Sequence, residues 1–485
     1  MGTEERRQVR GAEYQQAGSE YLQKRQLRSG AAGWVLLAGL GVAYVISGDF
    51  AGWNFGLAEG GWGGLLIAMI LMATMYTCMV FGLAELSSAM PVTGGGYGFA
   101  RRALGPFGGF ATGTAILIEY AIAPAAIVVF IGGYVEALGL FGIQSGWPVY
   151  LFFYAIFVGI HLIGVGEALR VIFVITAIAV VALIAFVIGM IPQFDVANLT
   201  DIAPTGAAGA SEFIPFGYAG ILAAFVYGIW FFLAIEGVPL AAEETRNPTR
   251  DMPRGIIVGM LVLLLFAALI LFTAPGGAGA GPIDGSDNPL PKALSAAYGG
   301  GTVLGSFVNY VGLAGLIASF FSIIYAYSRQ LFALSRAGYL PRALSVTGGR
   351  KTPYIALIVP GLIGFLLAAI TEDGAKMINI AVFGATVSYV LMMLAHIVLR
   401  YREPELERPY RTPGGVVTTG VALVLAVAAV VATFFVDVGA AAITAGIFVI
   451  ALAYFAFYSR HHLVAEAPEE EFAAVERAES ELSGG

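Results

Sequence analysis

The chain contains a single cysteine, Cys78, among its 485 residues. One cysteine excludes an intramolecular disulfide framework and a cysteine-rich metal site. Charged residues are also scarce, at 12% of the chain, whereas hydrophobic residues make up 58%. That balance excludes an ordinary soluble protein of one or two domains and predicts a polytopic protein embedded in a lipid bilayer.

The sequence also lacks the motifs of catalysis and of nucleic-acid binding. It has no glycine-rich phosphate loop, no His and Cys cluster at metal-ligand spacing, and no convincing pair of nucleophile and base. The net charge is −7, and no basic stripe suggests nucleic acid as a partner. We therefore expect neither an enzyme nor a cofactor. His161 and His396 lie in apolar segments, where a lone His more often packs between helices than relays protons.

Twelve apolar segments have the length of about 20 residues that a membrane-spanning helix needs. They lie near 34–58, 62–88, 107–138, 147–166, 171–192, 217–242, 255–275, 303–334, 354–370, 377–399, 415–436 and 440–459. If both termini are cytoplasmic, all Lys and Arg residues except Lys292 and Lys376 lie at or near the cytoplasmic side, as the positive-inside rule requires. We predict an all-α polytopic protein with twelve transmembrane helices.

Asp49 lies in Tyr44–Trp53, a glycine-punctuated interruption of the first apolar segment that contains no Lys or Arg. An ionisable side chain in the hydrocarbon region normally faces a cavity or a partner and marks a path for a substrate or an ion. A carboxylate without a basic neighbour therefore predicts a positively charged solute.

Two interrupted segments lie five spans apart. Ile46-Ser47-Gly48 in the first span has a counterpart in Ile235-Glu236-Gly237 of the sixth, where Pro239 denies a helical hydrogen bond. Broken helices at matching positions of two halves are typical of transporters built from inverted repeats, which bind their substrate near the bilayer midplane. Two unrelated kinks are the alternative.

Four motifs carry a family resemblance. In chain order they are Glu85–Tyr97, Ala241–Arg254, Ser328–Pro341 and Arg402–Arg411. Through them the chain resembles the amino acid, polyamine and organocation transporter superfamily, and Gly41–Phe55 is most similar to ethanolamine permeases. The resemblance implies a fold of the leucine-transporter type, with two inverted repeats of five helices, broken helices 1 and 6, and two peripheral helices. It also implies alternating access and a bacterial plasma membrane.

The resemblance and the spans together predict six regions. They are a cytoplasmic N-terminus at 1–33, a first repeat at 34–192, an extracellular loop at 193–216, a second repeat at 217–400, a loop with spans 11 and 12 at 401–459, and an acidic cytoplasmic tail at 460–485. The glutamate-rich tail is expected to be a solvated helix or a disordered end.

Asp49 is also a departure from the superfamily. Amino acid carriers of this superfamily hold the substrate carboxylate at the break of the first span. Two like charges about 4 Å apart repel by roughly 4 kcal/mol at an effective dielectric near 20, which is about three decades of affinity. We therefore predict import of a small protonated amine, with ethanolamine first. A neutral or cationic amino acid permease on the same scaffold is the alternative, and a non-transporting receptor is a third possibility.

Three further residues are candidates for coupling and gating. Glu236 is a candidate proton switch, because a buried carboxyl can hold a proton near neutral pH; alternatively it binds the ammonium or satisfies backbone freed by the break. Trp230 is a candidate aromatic gate or cation-binding face, with packing as the alternative. Glu119 either adds a carboxylate to the same cavity or faces a polar helix interface.

Hydroxyl groups complete the predicted site. The candidates to hydrogen-bond the hydroxyl of ethanolamine are Tyr44, Ser47, Tyr120 and Tyr227. Each of these hydroxyls could instead bond a backbone group. Gly48 is predicted to belong to the same substrate site. Glu85, nearer the cytoplasmic end, is expected to be an inner gate or a loop anchor.

The coupling ion is not determined by the sequence. Some relatives in the superfamily carry a Lys in the fifth span in place of a sodium ion, but Val171–Ile191 contains no charged residue. Ser319 and Ser322 either form a sodium site with first-span carbonyls or bond their own backbone. Proton coupling, sodium coupling and facilitated exchange remain open, in that order of preference, as does the oligomeric state.

Overall fold

The computed structural model describes residues 7–9, 11–15, 32–91, 94–139, 142–163, 168–299, 303–349 and 352–464. Nearly all of them are helical. In chain order the α-helices are α1 Trp34–Val45, α2 Ser47–Phe50, α3 Phe55–Ala89, α4 Gly96–Ala137, α5 Trp147–Ile163, α6 Ala168–Met190, α7 Gly217–Trp230, α8 Pro248–Ala278, α9 Ala280–Ile283, α10 Pro289–Tyr298, α11 Val303–Arg336, α12 Tyr354–Thr371, α13 Gly374–Arg402, α14 Val416–Val436 and α15 Val438–Phe457.

Ten helical segments in this part of the chain are long and apolar enough to cross a membrane. Two shorter apolar helices, α1 and α5, lie where the first and fourth spans are predicted. Each predicted span therefore overlaps a helix. Helix α1 has only 12 residues, so the first predicted span also includes α2 and the turn that follows it. On α14 the exposed residues include Val417, Val421, Val424 and Val431, a helical stripe without polar cover that suits contact with lipid.

The first span is interrupted within Tyr44–Trp53 as predicted, but not at the predicted residues. Ile46 separates α1 from α2, yet it keeps right-handed helical dihedral angles, with φ −57° and ψ −22°. The chain becomes extended at Ala51 and then takes a φ of +95° at Gly52, where the absence of a Cβ is needed. The break is therefore centred on Ala51 and Gly52, after Asp49 rather than before it.

The sixth span breaks one turn earlier than predicted. Helix α7 ends at Trp230, a turn follows, and a 3-10 helix runs over Ile235–Glu244. The turn closes at Ala234, whose φ of +79° is a strained, left-handed conformation for a residue with a Cβ. Pro239 contributes no N–H, and in an α-helix its ring would collide with the carbonyl four residues earlier, so its effect reaches back to Ile235.

A small sheet departs from the all-α prediction. Strand β1 (Arg7–Val9) pairs antiparallel with β2 (Ala12–Gln15), and β2 pairs in parallel with β3 (Leu463–Val464). The sheet brings the two ends of the described chain to one side, as an even number of spans requires. The remaining tail, 465–485, lies outside the described residues.

Packing of the two halves places both broken spans at the centre. Helix α1 packs on α8, α4 packs on α13 and α11, and the short α2 contacts α11. A glycine allows spans 1 and 6 to approach one another closely, because a Cβ added at Gly48 would lie 2.4 Å from the carbonyl oxygen of Trp230. Gly48 thus serves the contact between spans 1 and 6 rather than the break itself.

Candidate functional site

Asp49 lies on α2 and is 1% exposed. Neither of its carboxylate oxygens has a hydrogen-bond partner among the described residues. Its burial agrees with the prediction that it does not face lipid. A buried carboxylate without a protein donor is costly unless a proton or a bound cation compensates its charge. The group can therefore take up a proton, or a cation that donates hydrogen bonds.

Ser47 and Ser319 connect the first span to α11. Their hydroxyl oxygens are 2.8 Å apart, and Ser319 donates to the carbonyl oxygen of Tyr44 at 2.7 Å. Ser322 donates to the carbonyl of Ser319 at 3.0 Å, within its own helix. Of the two predicted sodium-site serines, Ser319 bonds a first-span carbonyl. Ser322 bonds the backbone of its own helix, which is the alternative to a sodium site.

Glu119 and Glu236 form a pair of buried carboxyl groups. They lie close enough to act on one another electrostatically. The Glu236 oxygens accept from the hydroxyls of Tyr120 and Tyr389, each at 3.1 Å, whereas Glu119 has no hydroxyl, amide or basic partner among the described residues. Two carboxylates this close favour sharing one proton.

Tyrosine hydroxyls surround this pair. The hydroxyls of Tyr76 and Tyr389 are 2.9 Å apart. A Cβ added at Gly237 would lie 2.9 Å from the Tyr120 hydroxyl and 3.1 Å from the Tyr44 ring, so these two rings flank Gly237. The Tyr44 hydroxyl has no hydrogen-bond partner in the described chain. Tyr76 and Tyr389 come from spans 2 and 10, and no pattern in the sequence singles them out as site residues.

Trp230 is used to hold the break of the first span. Its indole N–H donates to the carbonyl of Ala51 at 2.9 Å, and a Cβ at Gly52 would lie 2.4 Å from the same nitrogen. Its ring meets Phe130 edge-on, at a centroid distance of 6.3 Å. The polar edge of the ring is therefore occupied in this structure.

The site is closed on both faces. Away from the termini, the Tyr134 hydroxyl donates to the carbonyl of Phe50 at 2.8 Å. Toward the termini, Arg329 on α11 pairs with Glu244 at 2.9 Å. The backbone carbonyl of Glu244 also accepts from the N–H of Ala32 at 2.9 Å. All predicted substrate and sodium-site side chains are at most 3% exposed.

Not all predicted residues lie together. The carboxyl pair and the serine contact flank Tyr44, but no hydrogen bond or ion pair in the described chain connects Asp49 to Glu119 or Glu236. Tyr227 packs against Phe55, with ring centroids 6.0 Å apart. Asp49 is therefore not bonded to the carboxyl pair in this structure.

Glu85 anchors the loop after span 10. It contacts Arg400 at 2.5 Å, Arg408 at 3.0 Å and His396 at 3.3 Å, and it accepts from the backbone N–H of Thr412 at 2.7 Å. Glu85 was predicted to be an inner gate or a loop anchor, and these contacts support the loop anchor.

The two histidines considered as proton relays lie away from the central carboxyls. His396 belongs to the Glu85 cluster. His161 packs its ring on Phe321 at 4.0 Å, and its Nδ1 lies 2.8 Å from the carbonyl oxygen of Phe157. These contacts agree with the packing alternative.

The chain is similar in sequence to a family of membrane transporters and to several of its members. Residues 35–471 match the family model described as amino acid permease. A branched-chain amino acid permease of Bacillus subtilis is 29% identical over 384 residues, which cover 74% of this chain and 78% of the relative. An uncharacterized transporter of Rhizobium meliloti is 28% identical over 404 residues, which cover 81% and 84%. A methylthioribose transporter of Bacillus subtilis is 25% identical over 389 residues, which cover 76% and 79%.

The family match extends over most of the chain and includes both broken spans. It confirms the predicted superfamily, while the narrower similarity to ethanolamine permeases stays a prediction. The chain belongs to the amino acid permease family and is a multi-pass membrane transporter of amino acids or related small compounds, not an enzyme.

Proposed function

We propose that this transporter imports a small protonated amine that lacks a carboxylate, with ethanolamine as the first candidate. The observation that carries the proposal is Asp49, a buried carboxyl at the break of the first span whose oxygens have no donor among the described residues. The unsatisfied atoms are acceptors, so the partner that suits them brings hydrogen-bond donors and a positive charge.

Electrostatics separates an amine from an amino acid at this position. An ammonium at about 4 Å from Asp49 gains roughly 4 kcal/mol before desolvation at an effective dielectric near 20, and a carboxylate at the same distance loses as much. The free hydroxyl of Tyr44 is a candidate partner for the hydroxyl of an amino-alcohol. Gly48 brings the first span against Trp230, so the two broken spans bound the same region.

Proton coupling is proposed at the Glu119–Glu236 pair. The two carboxyls act on one another electrostatically, and Glu236 accepts hydrogen bonds from two tyrosine hydroxyls. A shared proton that leaves when the solute leaves would link the two movements. The rest of the mechanism is alternating access of two inverted repeats in a bacterial plasma membrane, with both termini cytoplasmic. The tyrosine and arginine contacts on either side of the centre are the bonds that this movement would break.

A zwitterionic amino acid is the second candidate. It is favoured by the relative named as a branched-chain amino acid permease. Such a solute would turn its amine to Asp49 and leave its carboxylate to donors elsewhere in the site. The two candidates differ in whether a carboxylate on the solute helps or hinders binding.

Uptake by proteoliposomes separates them. Radiolabelled ethanolamine should enter vesicles that contain the wild-type protein, and choline, serine and alanine are tested as competitors. Asp49→Asn removes the charge but keeps the shape, and should lower apparent affinity for ethanolamine by two to three decades, given roughly 4 kcal/mol of gross attraction. Glu212→Gln, an exposed acid in the loop before α7, is the matched control and should leave uptake unchanged.

The competitors decide between the classes. Strong competition by alanine, with none by amines, would overturn the amine assignment. Ethanolamine uptake that is unaffected by Asp49→Asn would remove Asp49 from the site. Repeating uptake with an imposed proton or sodium gradient tests the coupling ion.

A further inference from the structure

Two adjoining cavities lie on the face opposite the termini, outside the central site. One has a volume of about 400 Å³, and its lining includes Asn288, Lys292, Ser306 and Asn309. The other has a volume of about 410 Å³ and is lined by Gly133, Glu136, Ala137, Asp287 and Asn288. Because Ala137 and Asn288 line both, the two cavities adjoin one another between the end of α4, the segment before α10 and the start of α11, and together we call them the outer cavity.

The wall of the outer cavity contains a buried hydrogen-bond acceptor that has no donor among the described residues. Asn309 is 6% exposed, and its side-chain oxygen has no hydrogen-bond partner among the described residues. The side-chain oxygen of Asn288, in contrast, already accepts from the Ser286 hydroxyl at 2.9 Å. A buried amide oxygen without a donor calls for a ligand that donates.

The charge around the outer cavity is mainly negative. Asp287 and Glu136 line it, and Asp373, at the start of α13, acts on Asp287 through space. Lys292 is the cation on its wall, but Asp284 lies close enough to offset that charge. Carboxylates together with an unpaired amide oxygen match an ammonium group better than an anion.

A contact between Tyr134 and Phe50 lies between spans 1, 3 and 8, one turn from Asn309. A Cβ added at Gly312 would lie 2.6 Å from the Tyr134 ring and 3.1 Å from the Phe50 ring, and Gly312 is one turn from Asn309 on the same face of α11. Tyr134 also donates to the carbonyl of Phe50. Phe50 follows Asp49 directly, so this contact joins the wall near Asn309 to the segment that carries Asp49.

The segment next to Asp287 is also hydrogen-bonded to the broken first span. Asn54 donates to the carbonyls of Ile283 and Ser286, each at 2.8 Å. The segment that carries Asp287 therefore rests on the turn after Gly52. Movement of the broken span would shift one wall of the outer cavity.

We propose that the outer cavity is a second binding site for a small organic ammonium, with Asp287 in one of its two adjoining parts and the side-chain oxygen of Asn309 in the other as acceptors, before the Tyr134–Phe50 contact opens. This inference rests on the proposed function for the class of solute. It assigns roles to Asp287 and Asn309 that are separate from that of Asp49.

Protonation of Asp287 controls this site. Burial raises the pKa of Asp287 to about 6, and the Asp373 and Glu136 carboxylates add to the increase. Tyr150 also faces this acidic group. The acceptor is therefore charged above pH 6 and neutral below it, so binding of an ammonium weakens as the pH falls through 6.

Thiol protection tests the outer cavity directly. In the full-length protein with Cys78→Ser, Ser306→Cys places a thiol on the cavity wall, and a membrane-impermeant maleimide reports its accessibility. Ethanolamine should slow the modification, whereas ethylene glycol, which lacks the ammonium, should not. Ser211→Cys, on an exposed loop of the same face, is the control thiol, and ethanolamine should leave its rate unchanged.

Three variants then assign the site. Asp287→Asn and Asn309→Leu should each raise the half-protecting concentration of ethanolamine about tenfold, and Asn309→Asp, which adds a charge, should lower it. Asp49→Asn should leave the protection unchanged. Loss of protection in Asp49→Asn would show that the effect originates at the central site and would overturn the proposal, as would absence of protection in a protein that transports ethanolamine. Protection without any transport would support the outer site and refute the proposed function instead.

Discussion

Replacing Glu85 by Gln should destabilise the protein far more than a typical surface change. The carboxylate is 1% exposed and contacts Arg400, Arg408 and His396. Gln keeps the size of the side chain and an acceptor for the N–H of Thr412, but it removes the negative charge. The Arg408 side chain, 6% exposed, would then remain buried without its carboxylate partner.

The size of the effect follows from burial. Removing one partner of a buried ion pair costs about 3 to 5 kcal/mol, because the remaining charge is left desolvated. Arg400 is 25% exposed and can be solvated by water, so its lost contact adds at most about 1 kcal/mol. We expect a total near 3 kcal/mol, because the Arg408 guanidinium keeps hydrogen bonds to the carbonyls of Leu399 and Glu403.

Thermal unfolding of the purified protein, followed by tryptophan fluorescence, measures the change. Glu403→Gln is the matched control, since Glu403 pairs with Arg102 at 2.7 Å but the two side chains are 30% and 16% exposed. That pair is worth less than about 1 kcal/mol. Equal midpoints for the two variants would refute the view that Glu85 holds the loop after span 10 through buried charge.

Three further predictions follow from the contacts at the two sites. Gly48→Ala should abolish uptake and lower stability by about 1 to 3 kcal/mol, because its Cβ would lie 2.4 Å from the Trp230 carbonyl oxygen, whereas Gly64→Ala, with nearest atoms at 3.8 Å, should be tolerated in both assays. Glu236→Gln should lose gradient-driven accumulation in proteoliposomes while keeping exchange, and an unchanged pH dependence would exclude it as the proton switch. Protection of the outer cavity should fall as the pH drops through about 6 and become independent of pH in Asp287→Asn; a midpoint that the variant does not remove would contradict the assignment.

The broken spans illustrate the limits of local sequence signals. Glycine and proline indicated that both spans are interrupted, because these residues alter the backbone wherever they occur. They did not indicate which glycine breaks the helix. Gly48 and Gly52 look alike in the sequence, but the carbonyl of Trp230 lies against the first and a positive φ occurs at the second. Only the approach of span 6 distinguishes them.

The site shows the same division. Asp49, Glu119 and Glu236 were recognisable as carboxyls without local basic partners, because charge in an apolar segment stands out. The pairing of Glu119 with Glu236, without a bond to Asp49, depends on helices that are distant in sequence. Tyr389, which donates to Glu236, lies 153 residues away from it and carries no signal of its own. The Arg329–Glu244 contact could have been inferred from opposite charges at the ends of spans 8 and 6, but its distance could not.

The sequence by itself determined that this protein is helical, membrane-embedded and interrupted in its first and sixth spans, because apolar length, charge placement and backbone chemistry are local properties. The tertiary structure alone decided which carboxyls meet, which serine reaches the first span, and where the outer cavity lies between α4, α10 and α11. Those features arise from side chains that are brought together by packing, and no pattern along the chain records that contact.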